Sequence, residues 1–459
     1  MRRLSFRFFF FPILMALVLT GVGCGSSTAE KEAAKPVTLK VWRVFDEAEN
    51  LQPAMDAYRR LHPNVSFDYR ILRFDEYEDQ LLRAFARGEG PDVFSIHNTW
   101  MGEYVDAQLI TPLPAVLKIP YTETKGTIKK EKVITVREEK TISARELKNI
   151  FVDTISADVV RPYRSSKDAP TESAIFGLPL SVDTLALFYN RDLLNAAGIA
   201  EPPADWKTFQ EDVKMLTRVD EKGVVLQSGA ALGTASNVER ASDILSVLMM
   251  QNGTPMAGEG EATFAETTED GLPGADALRF YTDFANPAKE VYAWNADQPP
   301  SFEAFTSGKT AFFFGYAYHL SQIRTAAPKL NLGVAALPQI ADGRTVNFAN
   351  YWVETASKAG KNTKWAWDFI RFATEAKQGE AYMLKAKRPP ARRGLINKAV
   401  EDPELGVFAN QLLTSKSWYR GKDASVVEEA FSSLIKEALE GKELGESLGK
   451  AQNKVNQTY

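Results

Sequence analysis

The stretch Ala174 to Trp206, AIFGLPLSVDTLALFYNRDLLNAAGIAEPPADW, decides the fold of this chain. The apolar run Leu185 to Tyr189 is too long for a loop and too short for a free helix, which predicts a buried strand. A short helix is predicted over 191–197, because Gly198 supplies the left-handed residue that ends a helix. A Pro-Pro pair then prevents continuation, and apolar residues at steps of three and four predict an amphipathic helix led by Trp206. Together these segments indicate an α/β unit.

The chain before this stretch alternates strands with helices. Strands are predicted over 37–45, 65–71 and 91–96, and helices over 47–61 and 75–87. Strand, helix, strand, helix, strand predicts a parallel sheet covered by helices, whose ligands lie beyond the carboxyl ends of the strands. Further amphipathic segments follow to the end of the chain. Because 459 residues exceed what one hydrophobic core usually serves, we expect two lobes.

These motifs, in this order, resemble the family 1 extracellular solute-binding proteins, which are the binding lipoproteins of sugar ABC importers. The matching segments besides the opening stretch are VWRVFDE, AFARGEGPDVFSI, YVDAQLITPLP, FEAFTSGKTAFFF, KNTKWAWDFIRFA and PPARR. The resemblance spans residues 37–450, apart from 118–150, and implies a two-lobed periplasmic-binding-protein type II fold. In that α/β fold the ligand cleft lies between lobes that are joined by crossing strands.

The resemblance also implies the domain boundaries. Lobe 1 is expected to contain 37–115 and 353–396, and lobe 2 to contain 151–352 and 397–459. Residues 116–150 form an insertion in which Lys and Arg outnumber the acids, and its alternating centre predicts a hairpin or mobile arm. Two readings stay open for this insertion: a solvated loop without function, or a docking element for a permease or another surface partner.

The first residues predict export. Residues 1–23 combine an arginine-bearing start with an apolar run shorter than the roughly 20 residues that span a membrane, which predicts a signal peptide. Cys24, the sole cysteine, resembles the acylated residue of a bacterial lipobox, although Gly21 stands where Leu is usual. Residues 24–36 are then a lipidated tether, placing the protein outside the cytoplasm, in the periplasm or on the outer face of the cytoplasmic membrane. An uncleaved anchor and an ordinary signal peptide are the alternatives.

Several functional classes find no support in the sequence. The net charge of −4 and a pI near 5.7 argue against a nucleic-acid partner. None of the three histidines has another ligand at metal-binding spacing, and nucleotide-binding and hydrolase motifs are absent, so no metal, cofactor or enzymatic activity is predicted. A glycoside hydrolase needs a pair of carboxylates, and with 59 Asp and Glu residues the sequence does not exclude such a pair, but no motif points to one.

A saccharide site needs aromatic platforms for the C–H faces of the sugar and polar groups for its hydroxyls. Strand ends and family motifs supply the candidates for ligand binding, which are Phe45, Asp46, Asn98, Trp100, Ser181, Asp183, Tyr316, Asn350, Trp352 and Arg392. Tyr316 rests on the resemblance, because the family's aromatic residue after this glycine stacks on the ligand. Asp46 and Asp183 could equally be helix caps or surface acids, and Trp42, Trp206 and Trp365 are expected in the core.

The resulting hypothesis is a monomeric lipoprotein that captures a sugar or oligosaccharide and delivers it to the permease subunits of an ABC importer. The segment 348–352 is aromatic where the family has glycines, so ligand identity stays open. Two alternatives also remain. The same fold could bind a glycerophosphodiester, a polyamine or a peptide, or the protein could be a sensing or adhesive surface lipoprotein without transport.

Overall fold

The structure is a computed structural model that describes residues 35–126, 131–258, 260–269 and 271–459. The predicted signal peptide, Cys24 and nearly all of the predicted tether lie outside the described residues. Within the described residues, none of the helices has both the length and the apolar character needed to cross a membrane.

The elements run as follows in chain order. The first part contains β1 (Val37–Val44), α1 (Ala48–Leu61), β2 (Val65–Leu72), α2 (Phe74–Ala86), β3 (Val93–His97), α3 (Met101–Asp106), β4 (Ile110–Thr111), β5 (Val116–Lys125), β6 (Glu131–Lys140), α4 (Ala144–Ile150), α5 (Asp153–Val159), β7 (Val160–Tyr163) and β8 (Glu172–Ile175). The middle part contains β9 (Asp183–Thr184), β10 (Ala186–Asn190), α6 (Arg191–Ala196), α7 (Trp206–Leu216), β11 (Arg218–Val219), β12 (Val225–Ala230), α8 (Ala241–Gln251), β13 (Ala257–Gly258), β14 (Glu261–Ala262), α9 (Pro273–Asp283), α10 (Ser301–Thr306), β15 (Thr310–Gly315) and α11 (His319–Ala326). The last part contains β16 (Leu332–Ala335), β17 (Asn347–Asn350), β18 (Trp352–Ser357), α12 (Thr363–Ala373), α13 (Ala376–Ala386), α14 (Ile396–Val400), α15 (Gly406–Gln411), β19 (Ser415–Lys416), α16 (Ala424–Leu439) and α17 (Leu444–Asn456).

The first sheet has the strand order β2-β1-β3-β18-β4. Its strands β1, β2 and β3 are parallel, as the alternation of strands and helices predicts, and β18 returns from the far end of the chain to pair antiparallel with β3. Because β1 and β3 run in the same direction, the residues that follow them emerge at one edge of the sheet.

The second sheet has the order β11-β12-β15-β10-β16 and centres on the stretch that opened the sequence analysis. Strand β10 is fully buried and pairs antiparallel with both β15 and β16. The predicted boundaries of that stretch agree with the structure to within one residue: Asn190 and Asp205 cap α6 and α7 through their side chains, and Gly198 has the expected left-handed φ, 74°.

Two large apolar clusters correspond to the two sheets. Trp42 and Trp365 are buried in the first cluster and Trp206 in the second, as predicted. The first cluster also takes in residues from 147 to 182, which continue past the predicted start of lobe 2 at residue 151. A small third sheet has the order β19-β17-β9. The chain crosses from it to the first sheet between β17 and β18, which are separated only by Tyr351.

The charged insertion contains an antiparallel hairpin, in which β5 and β6 are paired over ten residues each. Leu117, Ile119 and Tyr121 are buried and pack on the first apolar cluster, while Lys118 between the first two is exposed. An ion pair of 2.6 Å between Glu139 and Arg371 also ties the hairpin to α12. The hairpin is therefore a packed part of the first lobe over its described residues.

Candidate functional site: a cleft between the two sheets

A cleft of about 1500 Å³ lies between the two sheets. The ends of β1 and β3 and the start of β18 contribute Phe45, Trp100 and Trp352 on the first-sheet side. The second-sheet side contributes Asp183 at the start of β9 and Tyr318 just before α11. The cleft therefore lies where the carboxyl ends of the parallel strands predict a ligand site.

Four rings form what we call the aromatic wall: Phe45, Phe74, Trp100 and Trp352. Phe45 and Phe74 are near-parallel with centroids 5.5 Å apart, and Phe74 and Trp100 are near-parallel at 6.4 Å. Trp352 stands edge-on to the other three at 5.4 to 6.3 Å. Phe45 and Phe74 are 57% and 46% exposed, which is unusual for large apolar side chains and indicates a surface that a ligand covers.

The backbone of Phe45 is held in a left-handed conformation with φ of 56°, a costly state for a bulky side chain. Its carbonyl accepts a hydrogen bond of 3.1 Å from Arg388, and the carbonyl of Asp46 accepts one of 2.6 Å from the Tyr69 hydroxyl. Strain that is held by such contacts is found at functional sites, where it fixes a side chain that would otherwise turn away.

Asp46 borders the cleft, but its carboxylate faces the protein. Asn50 donates to Oδ1 at 2.6 Å, while Tyr382 at 2.8 Å and Arg43 at 2.5 Å share Oδ2. Arg43 also pairs with the buried Glu354 at 2.8 Å. This network fixes the loop that carries Phe45, so Asp46 is a support for the aromatic wall.

The opposite side is what we call the polar wall, formed by Ser181, Asp183, Glu239 and Tyr318. Asp183 is only 8% exposed, and its Oδ1 accepts hydrogen bonds from the amides of Thr184 at 2.9 Å and Ala317 at 3.0 Å. Its Oδ2 has no hydrogen-bond partner among the described residues. Burial raises the pKa of Asp183 to about 6, against the lowering effect of those two amides.

Glu239 is oriented by His319, which is fully buried. The imidazole Nδ1 accepts the Tyr316 amide hydrogen at 2.9 Å, so the ring proton is on Nε2 and is donated to Glu239 Oε1 at 3.0 Å. Burial acts to raise the pKa of Glu239, but the hydrogen bond from His319 and the charge of Arg240 leave it below its usual value. Glu239 is therefore an ionised acceptor at the cleft.

His97 performs a similar task for Asn350, at the crossing between the sheets. Burial lowers the pKa of His97 to about 4, so the imidazole is neutral. Its Nδ1 lies 2.7 Å from the Thr99 hydroxyl and its Nε2 lies 3.2 Å from Asn350 Oδ1. With Oδ1 engaged in this way, the amide NH₂ of Asn350 is left as the group to donate into the cleft.

Three of the predicted ligand-binding residues do not line the cleft. Asn98 donates to buried Asp158 at 3.1 Å, and the Tyr316 hydroxyl donates to Asp243 at 2.5 Å within the second apolar cluster. Arg392 donates to a backbone carbonyl at 2.8 Å and covers the ring of a buried phenylalanine at 5.3 Å. The remaining seven, which are Phe45, Asp46, Trp100, Ser181, Asp183, Asn350 and Trp352, all border the same cavity.

The cleft also contains residues that the sequence analysis missed. Tyr318 lines the cavity in place of Tyr316, and Arg388 lines it in place of Arg392. Phe74 lies two residues beyond the end of β2, so the strand-end rule that selected Phe45 and Trp100 could have found it. The acids Glu78, Glu103 and Asp423 come from three separate elements and gave no local signal.

A two-lobed α/β protein with a cleft built from both lobes, one wall aromatic and one polar, is a binding protein for a small solute. The chain belongs to the family of bacterial extracellular solute-binding proteins, whose pattern matches residues 45–380. The predicted family and the predicted fold class are thereby confirmed.

Relatives and solved structures with this fold are distant. A binding protein of Brucella abortus (strain 2308) is 22% identical over 69% of this chain, and the match spans 66% of that protein's length. The galactooligosaccharide-binding protein of Bacillus subtilis (strain 168) is 20% identical over 84% of this chain and 81% of its own. The cyclic alpha-maltosyl-1,6-maltose binding protein from Arthrobacter globiformis superposes with a TM-score of 0.70 at 18% identity, covering 92% of this chain and 99% of that one. A cyclo/maltodextrin-binding protein complexed with maltotetraose gives 0.68 at 18% identity, covering 92% and 97%.

Proposed function

We propose that this protein is the extracytoplasmic binding component of an ABC importer and that it captures a saccharide of several units in the cleft. The observation that carries the proposal is the pairing of an exposed aromatic wall with a polar wall whose acceptors, the buried Asp183 and the partly exposed Glu239, are oriented by hydrogen bonds. Relatives whose names specify oligosaccharides support the same ligand class.

The aromatic wall suits the C–H faces of sugar rings. One aromatic contact contributes about 0.5 to 1.5 kcal/mol beyond the area it buries, whereas micromolar binding requires about 8 kcal/mol. Several platforms must therefore act on one ligand, and four adjacent rings provide them. The cleft of about 1500 Å³ is larger than the roughly 300 to 1000 Å³ of sites for drug-sized ligands, which favours an oligosaccharide over a single sugar.

The polar wall suits the hydroxyl rim of the same ligand. Oδ2 of Asp183 and the carboxylate of Glu239 accept hydrogen bonds, while the NH₂ of Asn350 donates one. A buried acceptor that finds its partner only in the ligand discriminates strongly against ligands that lack the donor. The proposed ligand-binding residues are therefore Phe45, Phe74, Trp100, Trp352, Ser181, Asp183, Glu239, Tyr318 and Asn350.

Capture requires no covalent chemistry, so we assign the protein no enzymatic activity. Groups of three or more His, Cys, Asp or Glu side chains able to hold a metal do not occur in the described parts of the chain.

Closure of the lobes about the crossing strands would present a surface to permease subunits, as hinge-bending binding proteins do. We further propose that the protein acts as a monomer.

The test is a binding screen with the purified protein. A saturating oligosaccharide at about 100 times its dissociation constant should stabilise the folded state by about 2.7 kcal/mol and raise the melting temperature. Asp183→Asn should weaken that ligand, and Glu401→Gln, an exposed acid outside the cleft, serves as its matched control. The proposal fails if no mono- or oligosaccharide shifts the melting temperature while a polyamine, a glycerophosphodiester or a peptide does.

Attachment to the membrane is a separate proposal, and it rests on Cys24 in its lipobox-like context. A lipid-linked Cys24 would hold the protein in the membrane fraction, from which Cys24→Ser should release it. Incorporation of a labelled fatty acid by the wild type, lost in the variant, is the matching chemical measurement. Retention of the variant in the membrane fraction would favour an uncleaved anchor.

A further inference from the structure

The cleft is much more acidic than the rest of the protein. Ten carboxylates and four arginines line it, a net charge of −6, whereas the whole chain carries −4. The remainder of the molecule is therefore close to neutral, and its negative charge is concentrated at the cavity. A charged cleft with low-dielectric walls concentrates its field on the ligand.

The four arginines are already occupied. Arg43 pairs with Asp46 and Glu354, Arg73 with Asp75 and Glu76, and Arg240 with Asp243 and Glu428. Arg388 donates to the carbonyl of Phe45. The charges of Arg240 and Arg388 still act to lower the pKa values of Glu239 and Asp183, but neither arginine forms an ion pair with those two acids.

Five cleft acids form no ion pair with any residue that the structure describes: Glu47, Glu78, Glu103, Asp183 and Asp423. Glu78 on α2 and Glu103 on α3 belong to the first lobe, while Asp423 precedes α16 on the other side of the cleft. They are close enough to perturb one another: burial, then the charges of Glu78 and Asp423, raise the pKa of Glu103 to about 7. A cation between them would relieve this repulsion.

A second feature of the cleft indicates that the ligand brings hydrogen-bond donors. Asp183 is more than nine-tenths buried and borders the cavity, and its Oδ2 lacks a partner within the described chain. A buried carboxylate oxygen without a donor is costly unless a ligand supplies that donor. Asp183 therefore marks the cleft as a place where a donor group arrives with the ligand.

The aromatic wall is also free to receive a cation. Cation–π contacts occur elsewhere in the described residues, as between Arg70 and Trp42, but none involves Phe45, Phe74, Trp100 or Trp352. Aromatic faces beside carboxylates are the combination that recognises ammonium groups. A neutral sugar would use the rings but leave the acids uncompensated.

We propose that the ligand is a cationic saccharide, whose sugar units carry amino groups, and that Glu78, Glu103 and Asp423 receive its ammonium groups while the aromatic wall stacks on its rings. This inference rests on the proposed function and names the substrate class of the same site. It predicts a higher affinity for oligosaccharides of amino sugars than for neutral oligosaccharides of equal length and linkage.

The experiment compares three tetrasaccharides with the same β-1,4 linkage that differ only at C2: glucosamine, N-acetylglucosamine and glucose units. Calorimetric titration of the purified protein should give the glucosamine tetramer an affinity about 10-fold or more above the other two. A glucosamine tetramer whose amino groups are trimethylated repeats the measurement with a cationic ligand whose charge does not depend on pH. Raising the salt from about 0.02 M to about 0.5 M should weaken the cationic ligands and leave the neutral ones unchanged.

A charge-removing variant tests the named residues. The triple variant Glu78→Gln, Glu103→Gln, Asp423→Asn keeps the shapes of the side chains, and Asn retains the ability to cap α16. It should lose about 10-fold in affinity for the glucosamine tetramer and change the glucose tetramer by less than about 2-fold. Glu401→Gln, which removes one exposed charge outside the cleft, should alter neither.

Three results are decisive in different ways. Preference for the glucosamine tetramer that disappears in the triple variant supports the inference. Equal or tighter binding of a neutral tetramer overturns the inference and leaves the proposed function standing. Failure of all three tetramers to bind overturns the inference, and the proposed function is overturned as well only if no saccharide of the thermal screen binds.

Discussion

The two walls of the cleft are held in place by different forces. The aromatic wall consists of side chains that pack on one another and remain open to solvent, with Phe45 and Phe74 each about half exposed. The polar wall contains carboxylates fixed by directed hydrogen bonds: the buried Asp183 accepts them from two backbone amides, and the partly exposed Glu239 accepts one from the His319 imidazole. The aromatic wall offers a ligand apolar contact area, and the polar wall offers it oriented hydrogen-bond acceptors.

This difference suggests a division of labour. Apolar area stabilises any ligand with a flat hydrophobic face, so the aromatic wall should supply most of the affinity with little selectivity. Oriented buried acceptors penalise a ligand whose donors are misplaced, so the polar wall should supply selectivity. The following predictions separate the two contributions, beginning with the largest effect.

Removing two platforms should abolish useful binding. Trp100→Ala combined with Trp352→Ala deletes the two indoles, whose centroids lie 5.4 Å apart, and each should contribute about 1.5 kcal/mol or more. We expect the dissociation constant of the best oligosaccharide to rise about 100-fold, measured by calorimetric titration. All saccharides should weaken by a similar factor. Tyr163→Ala removes an aromatic side chain that does not line the cleft and should leave binding intact. A loss confined to one saccharide would contradict the assignment of general affinity to this wall.

Tyr316 and Tyr318 provide a paired test of which aromatic residue faces the ligand. Tyr318→Ala should lower affinity about 10-fold with little change in stability, because the ring borders the cavity. Tyr316→Phe should leave affinity unchanged but lower the free energy of unfolding by about 1 to 2 kcal/mol, because buried Asp243 loses a hydroxyl donor at 2.5 Å. Denaturant unfolding and titration of both variants make the measurement. If Tyr316→Phe weakened binding and Tyr318→Ala did not, Tyr316 would be the residue that contacts the ligand, as the family motif predicts.

The sequence predicts the scaffold of the cleft better than its contents. Strand ends locate Phe45 and Trp100, because parallel strands bring their carboxyl ends to one edge of a sheet, whereas Trp352, at the start of the antiparallel β18, follows from the family motif. The position after Gly315 misleads, because His319 accepts the amide hydrogen of Tyr316 and the Tyr316 ring turns into the core. Tyr318, two residues later, stacks on Tyr316 with the ring centroids 5.9 Å apart and borders the cavity.

The role of histidine could not be predicted from spacing at all. His97 and His319 lack neighbours suited to a metal site, yet both orient cleft side chains, Asn350 and Glu239, that are distant in sequence. The same limit applies to Glu78, Glu103 and Asp423: each is an ordinary helix-surface acid locally, and only the packing of three separate elements places them around one cavity.

The strain at Phe45 can be separated from the ring it positions. Phe45→Ala and Phe45→Gly both remove the platform, so both should weaken binding by about 10-fold. Only glycine adopts a φ of 56° without a steric penalty, so the Gly variant should be about 1 kcal/mol more stable than the Ala variant by denaturant unfolding. Equal stabilities would mean that the loop relaxes once the ring is gone, and that Arg388 and Tyr69 do not hold it. Val219→Ala and Val219→Gly serve as the control pair, because Val219 is an exposed apolar residue away from the cleft whose backbone lies in a β-strand.

The smallest effect concerns the repulsion between the two sides of the cleft. Burial and the charges of Glu78 and Asp423 raise the pKa of Glu103 to about 7 from an ordinary 4.5, so the folded protein holds this proton more tightly than the unfolded chain does. The associated stabilisation is complete below the unfolded pKa and is lost as the pH rises through about 7. Glu103→Gln should therefore raise the melting temperature at about pH 8 and change it little at about pH 5. Because the side chain is partly exposed, we expect a gain on the order of 1 kcal/mol or less. A gain of the same size at both pH values would mean that the substitution acts through packing, and that the two sides of the unliganded cleft do not repel each other through this carboxylate.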